Sequence, residues 1–185
     1  MGDDVPTVKN PNYFVDCFNA IQELINRGWV MAGHDISAGG LVTTLLEMTF
    51  ANTEGGIKVN LHDMEGEDLV KLLFSENPGV IIQVSDKHKE ELKKFLDDEG
   101  VGYAKIGYPT PKERKLVVKK NEQEVSFDID GLRDKWYKTS YLLDRKQSMN
   151  GMAKKRYTNY KKQPLEVCFL SLIHISEPTR LALIS

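Results

Sequence analysis

The chain has 185 residues, 41% of them hydrophobic, and a formal net charge of -2. That length buries one sizeable core rather than two, and the near-neutral charge gives no global electrostatic case for nucleic acid or an anionic membrane. No apolar run is long enough to span a bilayer, Met1-Gly2-Asp3-Asp4 lacks the regions of a signal peptide, and Cys17, Cys168 and the four histidines have no ligand or disulfide spacing, so a reducing, cytoplasmic setting is expected.

Residues 1–10 read as an extended lead-in. Asn10 is placed to cap a helix that Pro11 begins, and Tyr13, Phe14, Cys17, Phe18, Ile21, Leu24 and Ile25 recur at helical spacing as a core stripe up to Gly28. Trp29-Val30-Met31-Ala32 has no polar alternation, the pattern of a strand buried on both faces. A loop, Gly33 to Gly40, separates it from an amphipathic helix running to about Asn52. Ile57 to Leu61 alternates as a half-buried strand, Asp68 to Phe74 is a short helix, and Val80 to Val84 is a second buried strand. Ser85-Asp86 caps a helix with Leu92, Phe95 and Leu96 inward, and its lysines and glutamates form a solvated face. Tyr103 to Tyr108 is a strand, Leu116 to Lys119 and Glu124 to Ile129 form a hairpin around Asn121, and Asp130 caps a last helix with Leu132, Trp136, Tyr137 and Leu143 inward. From Ser148 to Pro164 the pattern fades. Its lysines and tyrosines read as a solvated connector rather than an RNA-binding groove.

The chemistry is concentrated in Gly33-His34-Asp35-Ile36-Ser37-Ala38-Gly39-Gly40. A strand end, an Asp and Ser, then glycines opening a helix suit an anion: glycines let backbone amides approach a ligand, and the helix start supplies donors and a positive dipole end. Asp35 is placed to hold the Mg2+ that accompanies a nucleotide phosphate, and Gly39 and Gly40 to offer amides to the phosphates. Capping alone accounts for the same residue types. A nucleophile elbow is a poor match because Asp35 stands two residues before Ser37, and no Gly-Lys-Ser/Thr follows for a Walker loop.

"GHDISAGGLVTTLLEMTFAN", followed by "LLFSENPGVIIQV", resembles phosphoribosylformylglycinamidine (FGAM) synthase, and within it the second AIR-synthase-like C-terminal domain of the large single-chain form. The likeness runs from about Asp4 to Val167. It implies an α/β domain with a mixed sheet covered by helices, of the AIR-synthase C-terminal type, over residues 11–147. Residues 148–169 would then be a connector towards a glutaminase domain, with ATP-half domains upstream. The family is a glutamine- and ATP-dependent ligase of purine biosynthesis. By this resemblance the domain contributes to an auxiliary site for Mg2+ and ATP or ADP, with Asp35 as the metal ligand and Ser37 as a nucleotide contact. Many members carry Asp where this chain has Ala38, which leaves Asp35 the only acid in the loop.

No catalytic residue is assigned. His34 reads as orienting Asp35 or capping the loop rather than as a base, while Glu47 and Glu76 suit a helix surface and a loop cap as well as a function. Leu170 to Arg180 resembles a translated frame of a sequencing-library transposase adapter, so residues 170–185 are expected to stand outside the fold. Two rival readings remain open: another ATP-using enzyme of the AIR-synthase superfamily, and a non-catalytic module in which the loop binds a nucleotide without turnover or is only a cap.

Overall fold

The computed structural model describes residues 6–66, 68–159 and 179–184, the last only as backbone. The expectations for Cys168, His174, Tyr160, Lys161, Lys162 and the first residues of the chain lie outside these. In chain order the elements are α1 (Pro11–Asn26), β1 (Val30–Asp35), α2 (Gly40–Phe50), β2 (Gly56–Asn60), α3 (Leu69–Phe74), β3 (Val80–Ser85), α4 (Lys89–Asp98), β4 (Tyr103–Thr110), β5 (Lys115–Lys120), β6 (Gln123–Asp128), α5 (Ile129–Gln147), α6 (Met152–Asn159) and β7 (Thr179–Ile184).

Local chemistry accounts for most boundaries. Asn10 Oδ1 accepts from the Asn12 and Tyr13 amides at 3.1 Å, and Gly28, at φ 69°, closes the turn after α1. Asp68 caps α3 and Ser85 caps the 3-10 turn that leads into α4. Asn121, at φ 53°, turns the β5–β6 hairpin, since its short polar side chain tolerates the left-handed region.

The strands form one sheet in the order β1-β3-β7-β4-β2-β5-β6. Only β2 and β5 pair in parallel, so the sheet is mixed. Helices lie on both sides. Leu41, Leu45, Leu69, Leu73, Ile81, Ile106, Leu116, Val118 and Ile129 join α2, α3 and α5 to one face, while Ala20, Ile21, Leu24, Ile82, Val84, Leu92 and Leu96 join α1 and α4 to the other. Adjacent residues of β3, Ile81 and Ile82, serve opposite cores, as strand alternation dictates.

A bulge at Lys105–Gly107, where β4 pairs with β7, leaves Ile106 in the first core. A Cβ at Gly107 would run into the Lys58 carbonyl, so only glycine permits that approach. Arg114, its side chain 14% exposed, reaches the carbonyls of Thr49 in the last turn of α2 and of Asn52 and Gly55 just past it, and the Asp130 carboxylate. Lys120, 3% exposed, donates its ammonium to Leu61 O at 3.0 Å and Met64 O at 2.5 Å.

Several sequence expectations are corrected. β1 is an edge strand paired only with β3, and Met31, Ala32 and Gly33 are exposed, not buried on both faces. An unpatterned apolar run does not distinguish an edge from a centre. The α1 stripe is wider than the sheet can cover: Phe14, Phe18 and Ile25 are about half exposed. Trp136 and Leu143 likewise remain exposed on α5, and its cap is Asp128, which accepts from the Gly131 amide, because Asp130 is turned to Arg114.

Residues 152–159 form α6, which returns along α5 through Tyr157 stacked on Tyr141, their rings 4.5 Å apart, where no element was expected. Residues 179–184, expected outside the fold, pair as β7 between β3 and β4. The physical reason is that ladder hydrogen bonds are made by backbone alone, so the slot between those two strands constrains extension more than side-chain identity.

Candidate functional site

β1 carries His34 and Asp35 to its carboxyl end, opposite Ile81 and Val80 of β3. The next residue is fixed by Ile36 N donating to Gly79 O at 2.8 Å, with the Ile36 side chain against the first core. Ser37 is exposed, and Asp35 turns a side chain that is 74% exposed to solvent.

Gly39 and Gly40 follow at φ 90° and 70°. Two successive left-handed residues need glycine, and the space demands it too: a Cβ on Gly40 would stand 2.7 Å from the Ser75 carbonyl oxygen. The α3–β3 connection therefore lies directly over the start of α2. It brings Glu76 to the loop, where its Oε1 accepts the Gly39 amide proton at 2.8 Å. The Gly40 amide donates to Ser37 O at 3.0 Å.

The Gly39 and Gly40 amides are the donors expected near the phosphates. Both are engaged within the chain, because the left-handed turn points one inward and Glu76 supplies an anion to the other.

A second set of contacts holds the Asp35 end of the loop. The Asp35 carbonyl oxygen lies 2.7 Å from His34 Nδ1 and accepts from Thr44 Oγ1 at 3.2 Å. His34 Nε2 is 3.0 Å from Glu47 Oε2, and the other oxygen of Glu47 accepts from Trp136 Nε1 at 2.8 Å. His34 Nδ1 also lies 3.5 Å from Asp35 Oδ1. Asp35 and Ser37 share one exposed loop, with His34 behind it and two acids, Glu47 and Glu76, converging from elsewhere. Sequence reasoning left those acids ambiguous and missed Thr44. Adjacent threonines in the first turns of an otherwise apolar helix were the available signal.

Asp35 suits a hard cation: its carboxylate is outward, and its one ion-pair contact is the long one to His34. Among the described residues no group of three or more His, Cys, Asp or Glu side chains could hold a metal by itself. Mg2+ characteristically takes one or two carboxylates and completes its shell with water and phosphate oxygens, which one aspartate accommodates. A cleft of about 610 Å3 lies elsewhere, on the side of β2, β4 and β5 turned away from the first core, lined by Lys58, Asn60, Lys105, Tyr108 and Lys119 among others. None of its lining residues belongs to the 33–40 loop.

Residues 2–120 match the family described as "AIR synthase related protein, C-terminal domain". The chain is 34% identical over 149 residues to the Arabidopsis thaliana protein named "Probable phosphoribosylformylglycinamidine synthase, chloroplastic/mitochondrial", a match covering 80% of this chain and 10% of the relative. It is 30% identical over 151 residues to the Homo sapiens phosphoribosylformylglycinamidine synthase, covering 80% and 11%. The chain therefore spans about a tenth of the length of these curated relatives. Among solved structures, Thermotoga maritima PurL complexed with ATP shares the fold at a TM-score of 0.59 and 18% identity, covering 71% of this chain and 23% of that one. With the mixed sheet, the helices on both faces and the family match over residues 2–120, the chain belongs to the AIR synthase related proteins, as a C-terminal domain of that family.

Proposed function

We propose that this chain serves as an AIR-synthase-type C-terminal domain of an FGAM synthase and contributes Asp35 and Ser37 to an auxiliary Mg2+–nucleotide site. The observation that carries this reading is the outward Asp35 carboxylate at the end of β1, beside the start of α2. Asp35 would hold Mg2+ against the phosphates of ATP or ADP, and Ser37 would contact them. The Gly39 amide would join once Glu76 moved aside.

The reaction of the whole enzyme would activate the amide oxygen of formylglycinamide ribonucleotide with ATP. Ammonia from glutamine, released in a glutaminase domain, would then displace phosphate to give the amidine. ATP-half domains would complete the nucleotide sites, and the chain by itself would form no product. A reducing cytoplasm suits the free thiol of Cys17.

One observation favours a second reading. Glu76 already satisfies the Gly39 amide, as a capping loop without nucleotide would require. Calorimetry of ADP at matched magnesium, on the complete enzyme, separates the two. Mg2+-dependent binding that weakens about tenfold in Asp35→Asn, roughly one charged contact, is expected. No binding by the unaltered protein, or equal binding by the variant, would leave the capping reading.

A further inference from the structure

We propose that Glu47 is the positioning residue of the Asp35 loop, acting through His34, and that Trp136 of α5 fixes Glu47 in turn. This rests on the reading that Asp35 holds the cation. The contacts form a single line across the molecule: the Trp136 indole donates to Glu47 Oε1 at 2.8 Å, Glu47 Oε2 faces His34 Nε2 at 3.0 Å, and His34 Nδ1 faces the Asp35 carbonyl at 2.7 Å. A carbonyl oxygen can only accept, so Nδ1 carries a proton in that contact, and Nε2 carries one wherever it hydrogen-bonds the Glu47 carboxylate. Thr44 Oγ1 lies 3.2 Å from the same carbonyl and 3.2 Å from Gly40 O, so its one proton is shared between the two acceptors. The His34 ring, with the Thr44 hydroxyl beside it, holds the peptide plane after Asp35 in place. The direction in which the carboxylate leaves the backbone is fixed with it.

The exposure of the groups follows the same logic. The side chains of His34 and Glu47 are 29% and 23% exposed, whereas that of Asp35 is 74% exposed. The two inner members are shielded and spend their polar atoms on each other, leaving the outermost carboxylate for a ligand. A cation bound through one carboxylate depends on where that carboxylate points, and misplacement of a ligand by a partner behind it lowers metal affinity. Trp136 is held independently of the acid, its ring 5.4 Å from that of Phe50. The sequence distance is large: Trp136 and Glu47 are 89 residues apart, so the contact ties the last part of the domain to the loop near its start.

Substitution at Glu47 distinguishes positioning from simple charge. In Glu47→Gln the amide oxygen can still accept from Trp136, while the amide nitrogen can donate to the Nε2 of a ring protonated at Nδ1. The line of contacts survives. In Glu47→Ala it is cut, and in Trp136→Phe only its outer support is lost while the ring packing remains.

The test measures ADP affinity for the full chain with and without Mg2+, with Asp35→Asn as reference. Expected are a five- to tenfold loss of the Mg2+-dependent part of the affinity in Glu47→Ala, about two- to threefold in Trp136→Phe, and less than twofold in Glu47→Gln, at and below the lower end of the roughly 10–100-fold typical for groups behind a metal ligand. Binding without Mg2+ should be the same in all of them, an outcome that a general loss of structure would not give. Wild-type Mg2+ dependence in both Glu47→Ala and Trp136→Phe, while Asp35→Asn loses it, would overturn the role of Glu47 and leave Asp35 in place. Unchanged binding in Asp35→Asn would remove the cation reading itself, and this inference with it.

Discussion

The Glu76 carboxylate accepts the Gly39 amide proton at 2.8 Å across 37 residues of sequence, so the start of α2 carries an anion belonging to the chain itself. An acid beside a helix N-terminus contributes about 0.3–1 kcal/mol through the helix dipole. The same carboxylate stands where a phosphate would seek that amide. Glu76→Gln keeps an acceptor and removes the charge. Its thermal stability should fall by about that amount, while its affinity for Mg2+–ADP rises several-fold. A fall in both would show that Glu76 supports the nucleotide rather than competing with it.

Arg114 binds the far end of the same helix. Its guanidinium meets three carbonyls, one in the last turn of α2 and two just beyond it, and the Asp130 carboxylate from a mostly buried position. Arg114→Ala should lower unfolding free energy by about 2–3 kcal/mol, since charged hydrogen bonds are lost and carbonyls left unpaired. Lysine cannot span those acceptors with one ammonium and should recover only part of the loss. Urea denaturation of both variants measures this, and equal stability of Ala and Lys variants would contradict it.

Gly107 is a test of the sheet rather than of the loop. A Cβ there meets backbone atoms of Lys58 and Val59, which cannot swing away as a side chain would. Gly107→Ala should therefore destabilise by about 3 kcal/mol, the upper range for overpacking. Amide exchange should accelerate in β2 and β4 before β3. A melting temperature within error of the parent would show that the bulge relaxes freely.

The docking of α6 should depend on acid. Arg156 and Ser148 hydrogen bonds, opposed by partial desolvation, hold the Asp144 carboxyl below its ordinary value of 3.8. A depressed carboxyl pKa stabilises the docked helix above the unfolded value. That support is lost as pH falls through the lower, folded value. NMR signals of Tyr157 and Tyr141 should hold steady down to the ordinary carboxyl range and then shift as their stacking loosens. In Arg156→Gln the acid step should vanish; a step of unchanged midpoint would assign the titration to another group.

The sequence was most legible where periodicity and capping agreed. α1 with its Asn10 cap, α3 with Asp68, β3, and the hairpin at Asn121 stand where patterning put them, because each is set by local chemistry. Exposure was harder to read. The apolar runs at Met31, Phe18 and Trp136 are real, but what covers an apolar residue depends on elements distant in sequence. The loop was legible as an Asp-Ser-Gly-Gly turn. The partners that engage the Gly39 amide and brace His34 were not, since Glu76 and, through Glu47, Trp136 reach the loop only through the fold.

Lys120 has one further consequence. With 3% of its surface exposed and its ammonium donated to two carbonyls, it offers an amine-modifying reagent no route to its nitrogen without local opening. Its neighbour Lys119 faces the open cleft. Under brief acetylation of the native protein, mass spectrometry should find Lys119 modified and Lys120 bare. The ratio of these two adjacent sites then gives a chemical clock for the opening of β5.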